Sequence, residues 1–288
     1  MSALDLTTLV ERAERVLAQL EAWLPPVPPE TDWSAPAFRW QKRTGRGWMK
    51  AIRHVSHIET RDLQHIERQK NIIDRNTRQF IEGKPANNVL MTGARGTGKS
   101  SLVKAMLSTY ADQGLRLIEV DKADLADLDD IVDMVSNRPE RFIIFCDDLS
   151  FEEGEPGYKA LKSVLDGSIS AAGDNVLIYA TSNRRHLMPE YVSENLSAKH
   201  QPDGEIHPGE TVEEKTSLSE RFGLWLSFYP FKQDDYLDIV NYWLGVHGCT
   251  PASIQESRVE ALQWALERGS RSGRVARQFA RDWAARHV

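Results

Sequence analysis

Cysteine is scarce in this chain: Cys146 and Cys249 are its only two in 288 residues. Two cysteines do not make a disulfide framework, and their scarcity fits a reducing, cytoplasmic setting. Long apolar runs are missing as well. None approaches the roughly 18 residues that a membrane span requires, which excludes a transmembrane protein. The N-terminus lacks a basic start, a compact apolar stretch and a small-residue cleavage site, so it does not read as a secretory signal. An excess of positive charge is absent: the net charge is -6 and the pI about 5.8. The surface as a whole is therefore not that of a nucleic-acid binder, although a local basic patch stays open. Metal-ligand spacing is also absent. His54, His57 and His65 lie near one another without cysteines or carboxylates at metal spacing, and they read as surface or packed histidines. No internal repeat is found.

What is present is the mix of a soluble globular protein, 41% apolar and 27% charged, in a length that suits one large domain plus a small one. Leu6, Leu9, Ala13, Val16, Leu17, Leu20, Trp23 and Leu24 recur at spacings of three and four. They predict an amphipathic helix, stopped by the stiff stretch Pro25-Pro26-Val27-Pro28-Pro29. The helix packs on its own protein or docks on a partner or another subunit; both readings stand. Residues 33–58 hold Arg39, Lys42, Arg43, Arg46, Lys50 and Arg53 without one acid, with Trp33, Phe38, Trp40 and Trp48 interleaved. The favoured reading is a solvated strap packed by its tryptophans against an acidic surface. Nucleic-acid binding through residues 39–53 is the alternative, less favoured because no groove-reading helix signature accompanies it.

From Asp62 to Phe80 a helical pattern returns, and Gly83 and Pro85 end it. Short apolar runs follow at Val89–Met91, Leu115–Val120, Phe142–Cys146 and Val176–Ala180, with helical stretches at 99–112, 124–136 and 157–171. Strands buried on both faces and alternating with helices predict an α/β fold with a mostly parallel, helix-covered sheet. Asp121-Lys122-Ala123-Asp124 reads as a strand-to-helix turn. Residues 190–216, rich in Pro, Gly and acids, predict a long acidic loop of the functional or mobile kind. Beyond Pro230 three apolar helical faces predict a small all-helical domain: Tyr236 to Leu244, Val259 to Leu266, and Val275 with Phe279 and Trp283.

The chemistry concentrates at three places. Gly93-Ala94-Arg95-Gly96-Thr97-Gly98-Lys99-Ser100 fits G-x-x-x-x-G-K-[ST] between a strand and a helix, where backbone N–H groups wrap phosphates and the helix adds its positive end. Lys99 is expected to reach the β- and γ-phosphates and the Ser100 hydroxyl to ligate Mg²⁺. With Gly93, Gly96, Thr97, Gly98 and Ser101 they form the expected phosphate-binding set. Asp147 and Asp148 end the Phe142 strand. Asp147 is expected on the metal side, through water, and Asp148 as the group that polarises an attacking water, with Glu152 and Glu153 close enough to contribute. Asn183, at the end of the Val176 strand, is placed to orient that water, although asparagine is also a common turn former.

In this chain order the constellation resembles the AAA+ ATPases over about residues 58–288. The resemblance implies a parallel-sheet P-loop NTPase core, a C-terminal helical lid and, here, an N-terminal helical extension. Residues 1–57 are then the extension, 58–230 the nucleotide-binding domain and 231–288 the lid. It implies ATP and Mg²⁺ as ligands, ATP hydrolysis as the activity, and a ring or helical homo-oligomer. Ser219-Glu220-Arg221-Phe222 is similar to the family's arginine-finger stretch, with an internal salt bridge to the 190–216 acids as the alternative for Arg221. Gly269-Ser270-Arg271-Ser272-Gly273-Arg274 is similar to its lid sensor, with Arg274 preferred over Arg271. The usual second strand acid is Glu, and here it is the shorter Asp148. Arg68-Gln69-Lys70, Pro85-Ala86-Asn87-Asn88-Val89, Cys146 to Gly154 and Tyr179 to Leu187 look closer still to a bacterial AAA+ family of unknown function. The implied task is remodelling of an unidentified protein partner. The alternatives are a DNA-associated ATPase similar to helicase loaders and initiators, and a slow nucleotide-dependent scaffold.

Overall fold

The fold is taken from a computed structural model. It describes residues 3–23, 30–43, 45–151, 155–166, 174–184, 187, 199–200, 206–207 and 218–287. The proline stretch 25–29, Glu152 and Glu153, and most of the acidic segment 190–216 lie outside the described residues.

The chain begins with helix α1 (Ala3–Trp23). Leu9, Val10, Val16 and Leu17 are exposed along it. Then come β1 (Ala37–Arg43), β2 (Arg46–Ile52), α2 (Glu67–Ile81), β3 (Val89–Gly93), α3 (Lys99–Tyr110) and β4 (Leu115–Glu119). A 3-10 turn over Lys122–Asp127, where the Asp121 turn is expected, leads into α4 (Leu128–Val135), β5 (Arg141–Cys146), α5 (Pro156–Leu165) and β6 (Val176–Ser182). A two-residue pair, β7 (Lys199–His200) and β8 (Ile206–His207), precedes β9 (Leu224–Phe228). Three helices close the chain: α6 (Gln233–Val246), α7 (Pro251–Glu267) and α8 (Gly273–His287).

The main sheet has seven strands in the order β2-β1-β4-β5-β6-β3-β9. Only β2 runs antiparallel, to its hairpin partner β1. The four apolar runs read from the sequence are β3 to β6, and every residue of β6 is buried. Their side chains alternate between two apolar layers, as a two-sided buried sheet requires. Val89, Met91, Ile143 and Phe145 join α2, α3 and the C-terminal helices on one face. Leu90, Phe142, Ile144 and Cys146 join α4 and α5 on the other.

The basic, tryptophan-bearing segment is the β1–β2 hairpin, and it extends the same sheet by pairing parallel to β4. Its alternation puts Phe38 and Trp40 on one face, in the core, with Lys42 at the outer end of that same face beside Asp127, and Arg39 on the other face toward Glu119. The Trp40 indole N–H donates to Asp127 Oδ2 at 3.0 Å, and Lys42 Nζ to Oδ1 at 2.6 Å. Burial raises the Asp127 carboxyl, but the bonds from Lys42 and Trp40 outweigh that and leave it below its ordinary value. Arg39 pairs with Glu119 at 2.7 Å and Arg53 with Asp32 at 2.8 Å. Gly47 makes room for the indole, since a Cβ there would fall 1.8 Å from Trp40 Cζ2.

In the helical domain Pro251 starts α7 behind the Thr250 cap, whose Oγ1 accepts from Ser253 N at 3.3 Å. Of the expected face of α7, Ala265 is buried and Leu262 and Trp264 pack half-buried on the core, whereas Val259 and Leu266 are 66% and 82% exposed and Ser257 and Ala261 are buried in their place. Small side chains let α7 lie close to its neighbours. Tyr236 Oη reaches Ala261 O at 3.1 Å, and Trp283 Nε1 reaches Ser253 Oγ at 3.0 Å.

Candidate functional site

The site opens at the carboxyl ends of β3, β5 and β6, where α/β sheets hold ligands. Strand β3 runs beside β9 so closely that a Cβ at Gly93, with φ +130°, would meet Phe228 O at 1.9 Å. The chain then turns through Gly96 and Gly98, both at positive φ, into α3. Lys99, the first residue of α3, is 6% exposed. Its Nζ donates to Gly93 O at 2.7 Å, Ala94 O at 2.8 Å and Asn183 Oδ1 at 3.1 Å. Burial pushes the Lys99 ammonium below its ordinary pKa, Asp147 and Asp148 pull it back up, and the Arg95 charge lowers it further.

Strand β5 delivers the two carboxylates. Asp147 Oδ1 accepts from Ser100 Oγ at 2.6 Å and from Thr181 Oγ1 at 2.5 Å. The next residue, Asp148, is at φ +53°, a left-handed conformation that strains a non-glycine residue. Its N–H donates to Thr181 Oγ1 at 2.9 Å. Its carboxylate accepts from Asn183 Nδ2 and lies 3.6 Å from Arg95. Thr181, 1% exposed on β6, thus ties both strand ends together. It went unnoticed in the sequence, where only its place at the polar end of an apolar run marks it.

These groups line one end of a cavity of about 630 Å³. Ile58, Leu63, Ile66, Ile239 and Trp243 form an apolar part of its wall. Tyr242 Oη donates to Asp62 Oδ1 at 2.6 Å, joining α6 to the segment before α2. Burial first, and the Asp62 hydrogen bond next, push the Tyr242 hydroxyl up to about 12. Helix α8 supplies Arg274, Arg277 and Arg281 at i, i+3 and i+7, a single face. The Arg277 guanidinium also lies 4.7 Å from the Trp243 ring centre. Gly273 N donates to Gly96 O at 2.9 Å, seating the first turn of α8 on the glycine-rich loop.

The expected residues Gly96, Thr97, Gly98, Lys99, Ser100, Ser101, Asp147, Asp148, Asn183 and Arg274 all line this cavity, and Gly93 ends the strand that enters it. Arg271 is exposed and outside the lining. Arg221 is also outside it, and pairs with Asp166 of its own chain. Asp62, Arg95, Thr181, Arg277 and Arg281 are additional lining groups that sequence reasoning did not single out.

A glycine-rich loop between a parallel strand and a helix, a pair of carboxylates at another strand's end, polar residues at the end of a third and a C-terminal set of helices give the chain the AAA+ fold. The chain belongs to the family described as "Protein of unknown function (DUF815)", which matches residues 33–287 and so includes the hairpin. No curated protein matches it. Among solved structures, the HORMA:CdnC:Trip13 complex of E. coli MS115-1 is similar at TM-score 0.50 and 11% identity, over 77% of this chain and 89% of that one. A point mutant of Thermotoga maritima RuvB is similar at TM-score 0.50 and 13% identity, over 79% of this chain and 65% of that one. Aeropyrum pernix ORC1 in complex with DNA matches at TM-score 0.44 and 16% identity, over 78% of this chain and 65% of that one. For the first two, at these identities, the likeness is one of fold alone, and this chain spans less than two thirds of the length of the RuvB mutant chains it matches.

Proposed function

We propose that the protein is a Mg²⁺-dependent ATP hydrolase of the AAA+ type that couples nucleotide turnover at subunit interfaces to remodelling of a protein partner. The observation that carries the reading is convergence: Lys99, Ser100, Asp147, Asp148 and Asn183, from three separate elements, line one cavity with Arg274 of the last helix. The Ser100 and Asp147 oxygens, 2.6 Å apart at the start of α3, are a hard-oxygen pair of the kind Mg²⁺ uses beside substrate phosphates. When bound, Mg²⁺ neutralises charge on the β- and γ-phosphates.

The chain's own residues then divide the work. Lys99 turns its ammonium from two carbonyls to the phosphates. Asp148 accepts a hydrogen bond from the attacking water, and Asn183 holds that water in line. Arg274 brings the lid onto the γ-phosphate. Arg221 acts across a homo-oligomer interface, leaving its pairing with Asp166 to do so. Catalysis of this kind rests on positioning and charge more than on covalent chemistry.

A mixing experiment tests the shared site. Arg221→Ala and Lys99→Ala are each inactive alone under this account. Co-assembled, they pair an intact phosphate loop with an intact neighbouring arginine, and hydrolysis returns with rising protein concentration. No recovery in mixtures shown to co-assemble leaves Arg221 as a structural residue bound to Asp166.

Less supports the DNA-associated alternative. Three of the six basic residues of the hairpin region, Arg39, Lys42 and Arg53, are paired with carboxylates. Stimulation of ATP turnover by DNA, lost on changing Arg43, Arg46 and Lys50 to Gln, would favour that alternative over a protein partner.

A further inference from the structure

We propose that Arg95 is a second cationic contact to the terminal phosphate, supplied by the same chain, and that without nucleotide it rests on Asp148. The inference builds on the nucleotide reading of the site and adds to it the residue that tells a triphosphate from a diphosphate.

Three observations carry it. Arg95 stands inside the phosphate loop, two residues after Gly93 and next to Gly96, and lines the cavity. Its side chain is 78% exposed, and its one described ion pair is the 3.6 Å approach of Nη2 to Asp148 Oδ2. An exposed pair at that distance is weak and yields to a better anion. Lys99 lines the same cavity. The fold thus sets two cations around one space, and an anion there pairs with both. A guanidinium forks onto phosphate oxygens more favourably than onto one distant carboxylate oxygen.

The geometry gives the exchange a consequence. Asp148 is held by Asn183 on Oδ1 and by Arg95 on Oδ2. When Arg95 moves to the phosphate, Oδ2 is released and can accept a hydrogen bond from water. Oδ2 is thereby freed of its ion pair only when a terminal phosphate is present. A diphosphate leaves Arg95 where it is.

The test is calorimetric titration of wild type, Arg95→Ala and Arg95→Lys with ADP and with a non-hydrolysable ATP analogue, both with Mg²⁺. Arg95→Ala is expected to weaken the analogue about ten- to hundredfold, the worth of one charged hydrogen bond. ADP affinity stays within about twofold, and Arg95→Lys recovers part of the loss. Melting curves of the three proteins are expected to coincide, because the side chain is exposed. Equal loss for both nucleotides, or no loss for either, overturns the proposal. A wild type that binds neither nucleotide overturns the reading beneath it as well. A wild type that binds both without hydrolysing ATP removes the hydrolase reading alone, and the ratio of the two affinities still decides the role of Arg95.

Discussion

Replacing Gly96 by alanine separates lid seating from folding. Gly96 sits at φ +73°, and a Cβ there would lie 2.8 Å from both Cβ and Oγ of Ser272. The left-handed conformation costs a non-glycine residue about 1–2 kcal/mol. The clash displaces the first turn of α8 and with it the Gly273–Gly96 hydrogen bond, worth about 1 kcal/mol. Without nucleotide the loop relaxes by releasing the lid, so stability falls by little more than that bond. The bond is already lost in the free protein, so when binding demands the loop back in place the strain of about 1–2 kcal/mol appears in affinity, a weakening of about 5- to 30-fold. The assay is titration with a fluorescent ATP analogue beside thermal melting. Gly114→Ala is the control: it shares the conformational strain at φ +92° but meets nothing within 4 Å. That control should lower the melting temperature by about 2–4 °C per kcal/mol and leave nucleotide affinity untouched. If Gly96→Ala bound nucleotide as wild type does, or lost no more affinity than Gly114→Ala, the lid would not be seated through this loop.

Asp148→Asn is expected to keep Mg·ATP binding and stop hydrolysis, since the amide preserves shape without the charge that polarises water; full turnover by phosphate release would move that role to Glu152 or Glu153. Trp40→Phe removes the donor to the buried Asp127 carboxylate and should cost about 2–3 kcal/mol of stability, read by urea denaturation, with nucleotide affinity unchanged. Lys99 titrates below its ordinary value of 10.5. Between its lowered pKa and 10.5 the unfolded chain binds the more protons, so nucleotide-free stability rises with pH there. Nucleotide binding needs the ammonium and weakens through the same window; an affinity constant up to pH 10.5 would contradict the burial of that lysine.

The core of the sheet was readable because its physics leaves few choices. A strand buried on both faces must be a short continuous apolar run, which marks β3 to β6, and a loop that wraps phosphates must carry glycines at fixed spacing. The hairpin was harder. Its period-two alternation, Phe38 and Trp40 against Arg39 and Gln41, was present, but the run of cations drew attention to charge instead of pairing. Arg95 was hidden inside a motif at a position any residue can fill. Thr181 gains its role from a neighbouring strand, Asp166 is remote in sequence from Arg221, and neither relation has a periodicity to betray it. Arg277 and Arg281 do follow the helical spacing from Arg274, yet that spacing becomes meaningful only once the face of α8 over the cavity is known. On α7 the large residues Val259 and Leu266 mislead, because close helix packing selects the smaller Ser257 and Ala261 for the inside beside the expected Ala265.

Phosphate release from ATP by the full chain, with Mg²⁺ and with the metal chelated, is the most direct test of the central claim. The account predicts turnover that requires Mg²⁺ and falls to background in Lys99→Ala, which also loses binding of a fluorescent ATP analogue. Turnover and affinity in Lys99→Ala equal to wild type would contradict it, and the loop around Lys99 would then be no phosphate site.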